Sequence, residues 1–400
     1  MWLLAGGLGC SRKEAPANKD ASVPVAPRDT VAVPMRADAP ADATAPPAKV
    51  FVTGAGRCGE CHEKMFDEWE VSAHSRSASS TLYKAAVANA GDPTCDRCHA
   101  PLVAAAPHNG IASEGVTCDV CHTLRDPRPG TGGAGFRLAI DDMVKFGPRC
   151  DLKDHYFHRM GCSPEHQQAV LCGSCHWWEP RGIPVFTEYT DWRDGPAGKA
   201  GTPCQDCHMP KDKAVIATGS PMRTGVPHHG LMGMAGDLRK RALGLEVTAR
   251  DEGGALHVAV SVRNASAGHA VPAGLPERRL RVRVRLLDPK GTEIATETRE
   301  LGRILVDATG AEVPFWRATK IGSDTRIAAG ATWSDAFVFG APGPGTVEVD
   351  VVYRGVSDAV AKLLAVDPVE EHAMVSARVP LAKLPKTVTV KPPAAGKRKR

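Results

Sequence analysis

Five times between residues 58 and 208 the chain repeats one pattern: Cys58-Gly-Glu-Cys61-His62, Cys95-Asp-Arg-Cys98-His99, Cys118-Asp-Val-Cys121-His122, Cys172-Gly-Ser-Cys175-His176 and Cys204-Gln-Asp-Cys207-His208. At the chain's own Cys and His frequencies, chance would supply about 0.02 copies of C-x-x-C-H, a motif that reads as c-type haem attachment. Two thiols two residues apart on one helical turn both reach the vinyl groups of a single porphyrin, and the next residue offers its imidazole to the iron from below. Zinc also binds C-x-x-C pairs, but it does not explain a histidine directly after the second cysteine in every copy. A thioredoxin-like redox motif needs only one C-x-x-C, beside a βαβ pattern that this sequence lacks. The motifs therefore predict five covalently bound haem c groups, one per copy.

Ten of the thirteen cysteines lie in these motifs, which leaves Cys10, Cys150 and Cys162. Aromatic residues make up only 5% of the chain, so a haem-binding half has few large side chains for a core. Porphyrins would supply the missing apolar area, because burial drives folding whichever molecule contributes the surface. With roughly one motif per thirty residues, the polypeptide is too thin to insulate the haems, which must pack against one another. A row of closely packed redox groups is an electron conduit. Ten of the fifteen histidines remain for the opposite faces of the irons: 74, 108, 155, 158, 166, 228, 229, 257, 269 and 372. Bis-His ligation without Met favours lower potentials. Met209 follows His208 directly, cannot reach the far face of the same haem, and reads as packing.

The start, MWLLAGGLGCSRKE, carries a short apolar run ending in Gly-Cys and resembles the end of a bacterial lipoprotein signal, with Cys10 as the lipidated residue. Haem c is attached outside the cytoplasmic membrane, so export is expected, to the periplasm or as an outer-membrane lipoprotein. Residues 11–50 are mostly Ala, Pro, Val, Asp, Lys and Arg without periodicity and read as a disordered tether. The net charge is +5, part of it in the Lys-Arg-Lys-Arg terminus, which reads as solvated charge and not as a nucleic-acid site.

After Leu243 the period changes to two. Leu256, Val258, Val260 and Val262 alternate with polar or small residues, as do Leu280, Val282, Val284 and Leu286 with arginines, and residues 336–339 and 346–353 add further strands. Such alternation, with Gly, Pro and Asp turns between, predicts an antiparallel sandwich. Residues 355–372 have helical spacing. The fold class is thus α+β: a haem domain of short helices and loops over 51–243, then a β-sandwich over 244–385 and a basic tail over 386–400.

Beyond the motifs, CGECHEKMFDEWEVSAHSRS at 58–77 resembles the opening of the multihaem cytochrome c-554 (c-552/4) family, in which a haem-binding helix runs on to a Trp, here Trp69, and a ligating His, here His74. ASEGVTCDVCHTL at 112–124 is similar to the same family's Glu-Gly-Val-x-Cys-x-x-Cys-His segment. CGSCHWWEP and FTEYTDWRDGPAGKAGTPCQDCHMP resemble the last two haem segments of larger relatives. The resemblance runs from about 51 to 290. It implies that His74 ligates the iron of a neighbouring haem and that an aromatic-then-His pattern favours His158, with His155, His166 and His108 left open. PHHGLMGM at 227–234 is similar to a His-x-Phe-x-Gly segment with Leu231 for Phe, which implies His229 as ligand, and His228 one position out of register. Asn264-Ala-Ser-Ala-Gly-His-Ala-Val-Pro-Ala-Gly274 resembles a Gly-His-x-x-Pro-Thr-Gly loop with Ala273 for Thr, which implies that His269 reaches a haem from the sandwich. Gly268 would leave room for the porphyrin there, and Asn264 or a loop carbonyl would hold the second ring nitrogen. Cys150 and Cys162 could pair in an oxidising compartment and restrict the loop that carries His158.

Together these readings predict a multihaem c-type cytochrome that passes electrons between redox partners outside the cytoplasmic membrane, anchored by lipid at Cys10. The alternative is a multihaem oxidoreductase acting on a nitrogen or sulfur oxyanion, or on hydroxylamine, at a haem with an open face. No C-x-x-C-K motif accompanies the five, and the reading favours the carrier.

Overall fold

Alternation at period two becomes two four-stranded antiparallel sheets. In the computed structural model, which describes residues 51–105, 110–140, 142–231, 237–340, 343–367 and 369–393, one sheet runs in the order Glu293–Leu301, Arg279–Leu287, Thr346–Arg354, Glu371–Pro380. The other runs Thr332–Phe339, Ala255–Asn264, Leu243–Glu252, Lys386–Val390. Val282 pairs with Val351 and Val284 with Val349 in the first sheet; Leu245 pairs with Val262 and Val247 with Val260 in the second. These side chains are fully buried between the sheets and form the largest core of the chain, together with Phe337, Leu256 and Leu280. At about 25 cal/mol per Å² of apolar surface removed from water, this core is where most of the polypeptide's own burial energy lies.

The arginines that alternate with Val282 and Val284 face outward. Arg281 bridges Glu300 at 2.7 Å, Glu371 at 2.9 Å and Asp358 at 2.9 Å, and Arg285 bridges Asp350 at 2.7 Å. Opposite charges on neighbouring strands support the register that the inner valines set.

Two expectations need correction. The helix expected over 355–372 covers only Asp358–Leu364, capped by Ser357 Oγ, which accepts from the Val360 amide, and ended by Ala365 in the left-handed region. Glu371 then opens a strand. The strand was hidden because a bulge inserts Met374 between the pairs Val351–Val375 and Val352–Ala373, so its buried positions 374, 377 and 379 do not alternate cleanly. The tail expected over 386–400 begins with another strand, Lys386–Val390, on the edge beside Leu243–Glu252, so the sandwich extends past residue 385.

The preceding part of the chain is built differently. Its helices are short, ten residues at most, and its apolar clusters are small, such as Leu102, Val120 and Ile140. Between them lies a cavity of about 3100 Å³, several times an ordinary ligand pocket of roughly 300–1,000 Å³. The motif helices line it. The chain divides into two compact units, Met1–Pro47 and Ala48–Arg400. The first unit, with Cys10 and almost all of the expected tether, lies outside the described residues, as do His108 and residues 394–400. No helix among the described residues is long and apolar enough to cross a membrane.

The sandwich is joined to the haem-binding half by buried arginines. Arg303, 5% exposed, donates to the Pro184 carbonyl at 2.6 Å and to Thr187 Oγ1 at 3.3 Å, while its Nε bonds Asp324 at 3.0 Å. Arg326 bridges Asp324 and Asp191. Ile183 packs with Leu305, Val313 and Ala318 alongside, and Trp178 meets Phe315 edge-on at 5.2 Å. Replacing Arg303 with Ala leaves Asp324 paired with Arg326 alone and the Pro184 carbonyl short of a donor. Arg303→Ala is therefore expected to cost about 1–3 kcal/mol in denaturant unfolding of the holoprotein; an unchanged midpoint would show that the junction is not held by this contact.

Candidate functional site

Each motif forms a single helical turn. His62 N donates to the Cys58 carbonyl at 2.9 Å and His176 N to the Cys172 carbonyl at 2.9 Å, which sets two thiols and an imidazole on one short face. The other three motifs lie in the helices Asp96–His99, Cys118–Thr123 and Cys204–His208, Cys95 being the cap of the first.

Four motif histidines face a second imidazole. His62 faces His158 with ring centroids 6.3 Å apart, and His122 faces His229 at 6.3 Å. His176 faces His74 at 6.4 Å, and His208 faces His269 at 6.2 Å. Two metal–nitrogen bonds of about 2 Å, plus half a ring on each side, put the centroids of two imidazoles on one metal roughly 6 Å apart. The four separations fit one iron each. The site residues inferred from sequence, His74, His158, His229 and His269, are thus each brought opposite a different motif.

The ring nitrogens agree with that arrangement. Nδ1 meets a backbone carbonyl in His62 (Ile216, 2.5 Å), His99 (Ser77, 3.1 Å), His122 (Phe146, 2.6 Å), His158 (Arg159, 3.3 Å) and His269 (Ala270, 2.9 Å). A carbonyl accepts from N–H, so Nδ1 carries the proton and Nε2 keeps its lone pair for a metal. Burial lowers the pKa of His74 and of His229 to about 4, and also lowers those of His99, His122 and His158, so these rings are neutral at neutral pH. Neutral imidazole is the ligating form.

The competing histidines are engaged elsewhere. His166 lies 5.5 Å from His122, but its Nδ1 bonds Ser163 Oγ at 2.9 Å and its Nε2 the Cys121 carbonyl at 3.0 Å, which leaves no nitrogen free. His155 is exposed and lies tilted against Tyr156 at 4.2 Å. His228 Nε2 stands 3.3 Å from Glu68 Oε1. The partner of the His269 ring is a loop carbonyl and not Asn264, whose Nδ2 donates to the His269 and Ile327 carbonyls and so fixes the loop's backbone. Gly268 also makes room for Ala197, whose Cβ lies 2.9 Å from where a Gly268 Cβ would stand.

The fifth motif histidine differs. His99 stacks on Tyr83 at 4.4 Å, too close for an iron between them, and Tyr83 OH donates to Asp96 Oδ1 at 2.6 Å. Among the described residues no imidazole faces His99 at the 6 Å spacing of the other four.

The attachment cysteines also touch across motifs. Cys58 lies close enough to Cys118 to act on its ionisation, as do Cys98 on Cys175 and Cys172 on Cys204. Cys121 lies close enough to act electrostatically on both Cys172 and Cys175. The first motif therefore adjoins the third, the third adjoins the fourth, and the fourth adjoins both the second and the fifth. Four motifs line the main cavity; Cys204, Cys207 and His208, with His269, stand outside its lining.

Several residues that hold this arrangement carry no motif signal. Glu68 Oε2 accepts from the His229 amide at 2.8 Å, Trp69 Nε1 donates to the Val116 carbonyl at 2.9 Å, and Ser77 Oγ donates to the carbonyls of His74 and His99. Trp69 was legible through its family pattern; Glu68 and Ser77 were indistinguishable from solvated helix and turn residues.

Residues 57–123 match the family described as cytochrome c554 and c-prime. The fold is similar to the crystal structure of a penta-heme cytochrome c552 from Thermochromatium tepidum, with a TM-score of 0.69 and 22% identity over 82% of this chain and 99% of that one. The match over residues 57–123 and the shared fold support a multihaem cytochrome c of this family. No curated protein matches the cytochrome. The sites fit haem c by their own geometry: paired thiols on one turn, neutral imidazoles with Nε2 free, and facing rings at the spacing one iron requires.

Cys150 and Cys162, two of the three cysteines outside the motifs, form a disulfide that closes the loop carrying His158. Closing a loop of about a dozen residues is worth roughly 2–3 kcal/mol. The double variant Cys150→Ser/Cys162→Ser is expected to lose about that much stability and to weaken the His62 haem's low-spin signal first; unchanged stability and spectrum would leave the crosslink without a role.

Proposed function

We propose that this cytochrome transfers electrons between redox partners outside the cytoplasmic membrane, through five haem c groups attached at Cys58/Cys61, Cys95/Cys98, Cys118/Cys121, Cys172/Cys175 and Cys204/Cys207. The observation that carries the proposal is the set of imidazole pairs at four motifs, with the motif cysteines of all five close enough to act on one another in series. Bound haem c supplies a one-electron carrier at each motif. The residues then fix its properties: His62, His122, His176 and His208 hold one face, and His158, His229, His74 and His269 the other. Saturated bis-His sites bind no substrate, which suits transfer and not catalysis, and the absence of Met ligands favours low potentials.

The contacts describe a branched path. It runs from the first motif to the third and fourth, and from there to the second, under the sandwich, and to the fifth, at the His269 loop. Two branch ends support two exits, or one entrance and one exit, for separate partners. In this reading the cytochrome is exported and is held at a membrane by a lipid on Cys10.

A second reading is favoured by one observation: among the described residues His99 faces no imidazole. With an open iron face there, the same protein would act as an oxidoreductase on a nitrogen or sulfur oxyanion or on hydroxylamine, fed by the path from the fourth motif.

Intact-protein mass after expression with a haem-attachment system is expected to show an increment of five haems. Four or fewer in homogeneous protein would contradict the assignment. His269→Ala is expected to convert one haem from low to high spin and to add one carbon monoxide site without changing the haem count. A variant spectrum identical to the parent's would remove His269 from the ligand set.

A further inference from the structure

Buried hydroxyls and guanidinium groups in a folded protein normally find partners, so those that do not are informative. At the end of the sandwich nearest the second motif, one such group, the Tyr353 hydroxyl, lines the main cavity together with the side chains of Arg278 and His372. Tyr353 is 6% exposed and its hydroxyl has no hydrogen-bond partner. Arg278 is half-buried, and its Nη1 donates to the Ala273 carbonyl at 2.9 Å, yet no carboxylate pairs with it among the described residues. Its guanidinium lies over Gly274, where any Cβ would collide with it, so the side chain is held in one place. His372 is the cross-strand neighbour of Tyr353, its ring stacked at 6.2 Å. Among the described residues its only ion-pair contact is with Glu370, which is 79% exposed.

These groups belong to the neighbourhood of His99. The charge of Arg278 acts on both the His99 imidazole and the Tyr353 hydroxyl. The helix Thr81–Ala90, which supplies Tyr83 to His99, packs through Leu82, Ala85 and Ala86 on Val356 and Val360, just beyond Tyr353. Glu277, the neighbour of Arg278, is also buried on the cavity wall with Oε2 unpartnered, and burial raises its pKa. An uncompensated guanidinium, an unsatisfied phenol and an imidazole converging on a cavity make a polar site in otherwise apolar surroundings.

We propose that Tyr353, Arg278 and His372, all contributed by the sandwich, form a binding pocket for a small inorganic anion over the open face of the haem attached at Cys95 and Cys98. The proposal rests on the open-face reading of His99 and gives it a ligand class. Arg278 supplies the charge, and Tyr353 and His372 supply hydrogen bonds that turn with the anion. The haem-free domain thereby has a part in ligand selection and not only in holding His269.

The test uses the full holoprotein and two probes. Carbon monoxide, added to reduced protein, reports whether a face is open; azide, added to oxidised protein, reports whether that face selects anions. Tyr353→Phe keeps the ring and removes only the hydroxyl, and Arg278→Gln removes the charge. Both variants are expected to bind one carbon monoxide as the parent does, while azide binding, followed by the high-spin to low-spin change, weakens about ten- to a hundred-fold. If carbon monoxide binds and azide affinity is the same in parent and variants, the anion pocket is wrong and the open face stands. If the parent binds no carbon monoxide, the open-face reading falls and the pocket with it. Should Arg278→Gln fail to fold, Tyr353→Phe decides the question alone.

Discussion

The imidazole pair across one iron is the constraint on which the rest of this structure depends. Four times the chain sets two rings about 6 Å apart, and in each case the two come from segments distant in sequence: His62 with His158, His74 with His176, His122 with His229, His208 with His269. A haem ligated in this way would be a crosslink. It would do for the first half of the chain what a hydrophobic core does for the sandwich, and so let helices of ten residues or fewer hold a fixed arrangement around a cavity of about 3100 Å³.

The same constraint accounts for the sandwich's position. Its Asn264 fixes the backbone of the His269 loop, its Arg303 and Arg326 grip Thr187 and Asp191 in the segment before the fifth motif, and its far end carries Tyr353 and Arg278 to the second. A rigid sheet pair is a better mount for such groups than a loop, because the register of its buried valines cannot slip by one residue without turning the core outward.

How much of this was legible follows from what kind of signal each residue carries. The five attachment sites were plain, since covalent chemistry demands fixed residue types at fixed spacing. The strands with strict alternation, 256–262 and 280–286, were equally plain. The strand Glu371–Pro380 was not, because a bulge at Met374 breaks its period, and the edge strand Lys386–Val390 was masked by neighbouring basic residues. His74, His158, His229 and His269 could be inferred through family resemblance, but which motif each would face could not, since that is decided by tertiary packing. The distinct surroundings of His99, with Tyr83 beside it, left no local trace.

Spin-quantified electron paramagnetic resonance of the oxidised holoprotein tests the central claim most directly. Four facing pairs, and a His99 that no imidazole faces among the described residues, predict four low-spin haems and one high-spin haem per chain. Five low-spin haems would mean that a ligand closes the His99 site, and fewer than four would mean that the facing imidazoles do not hold the irons.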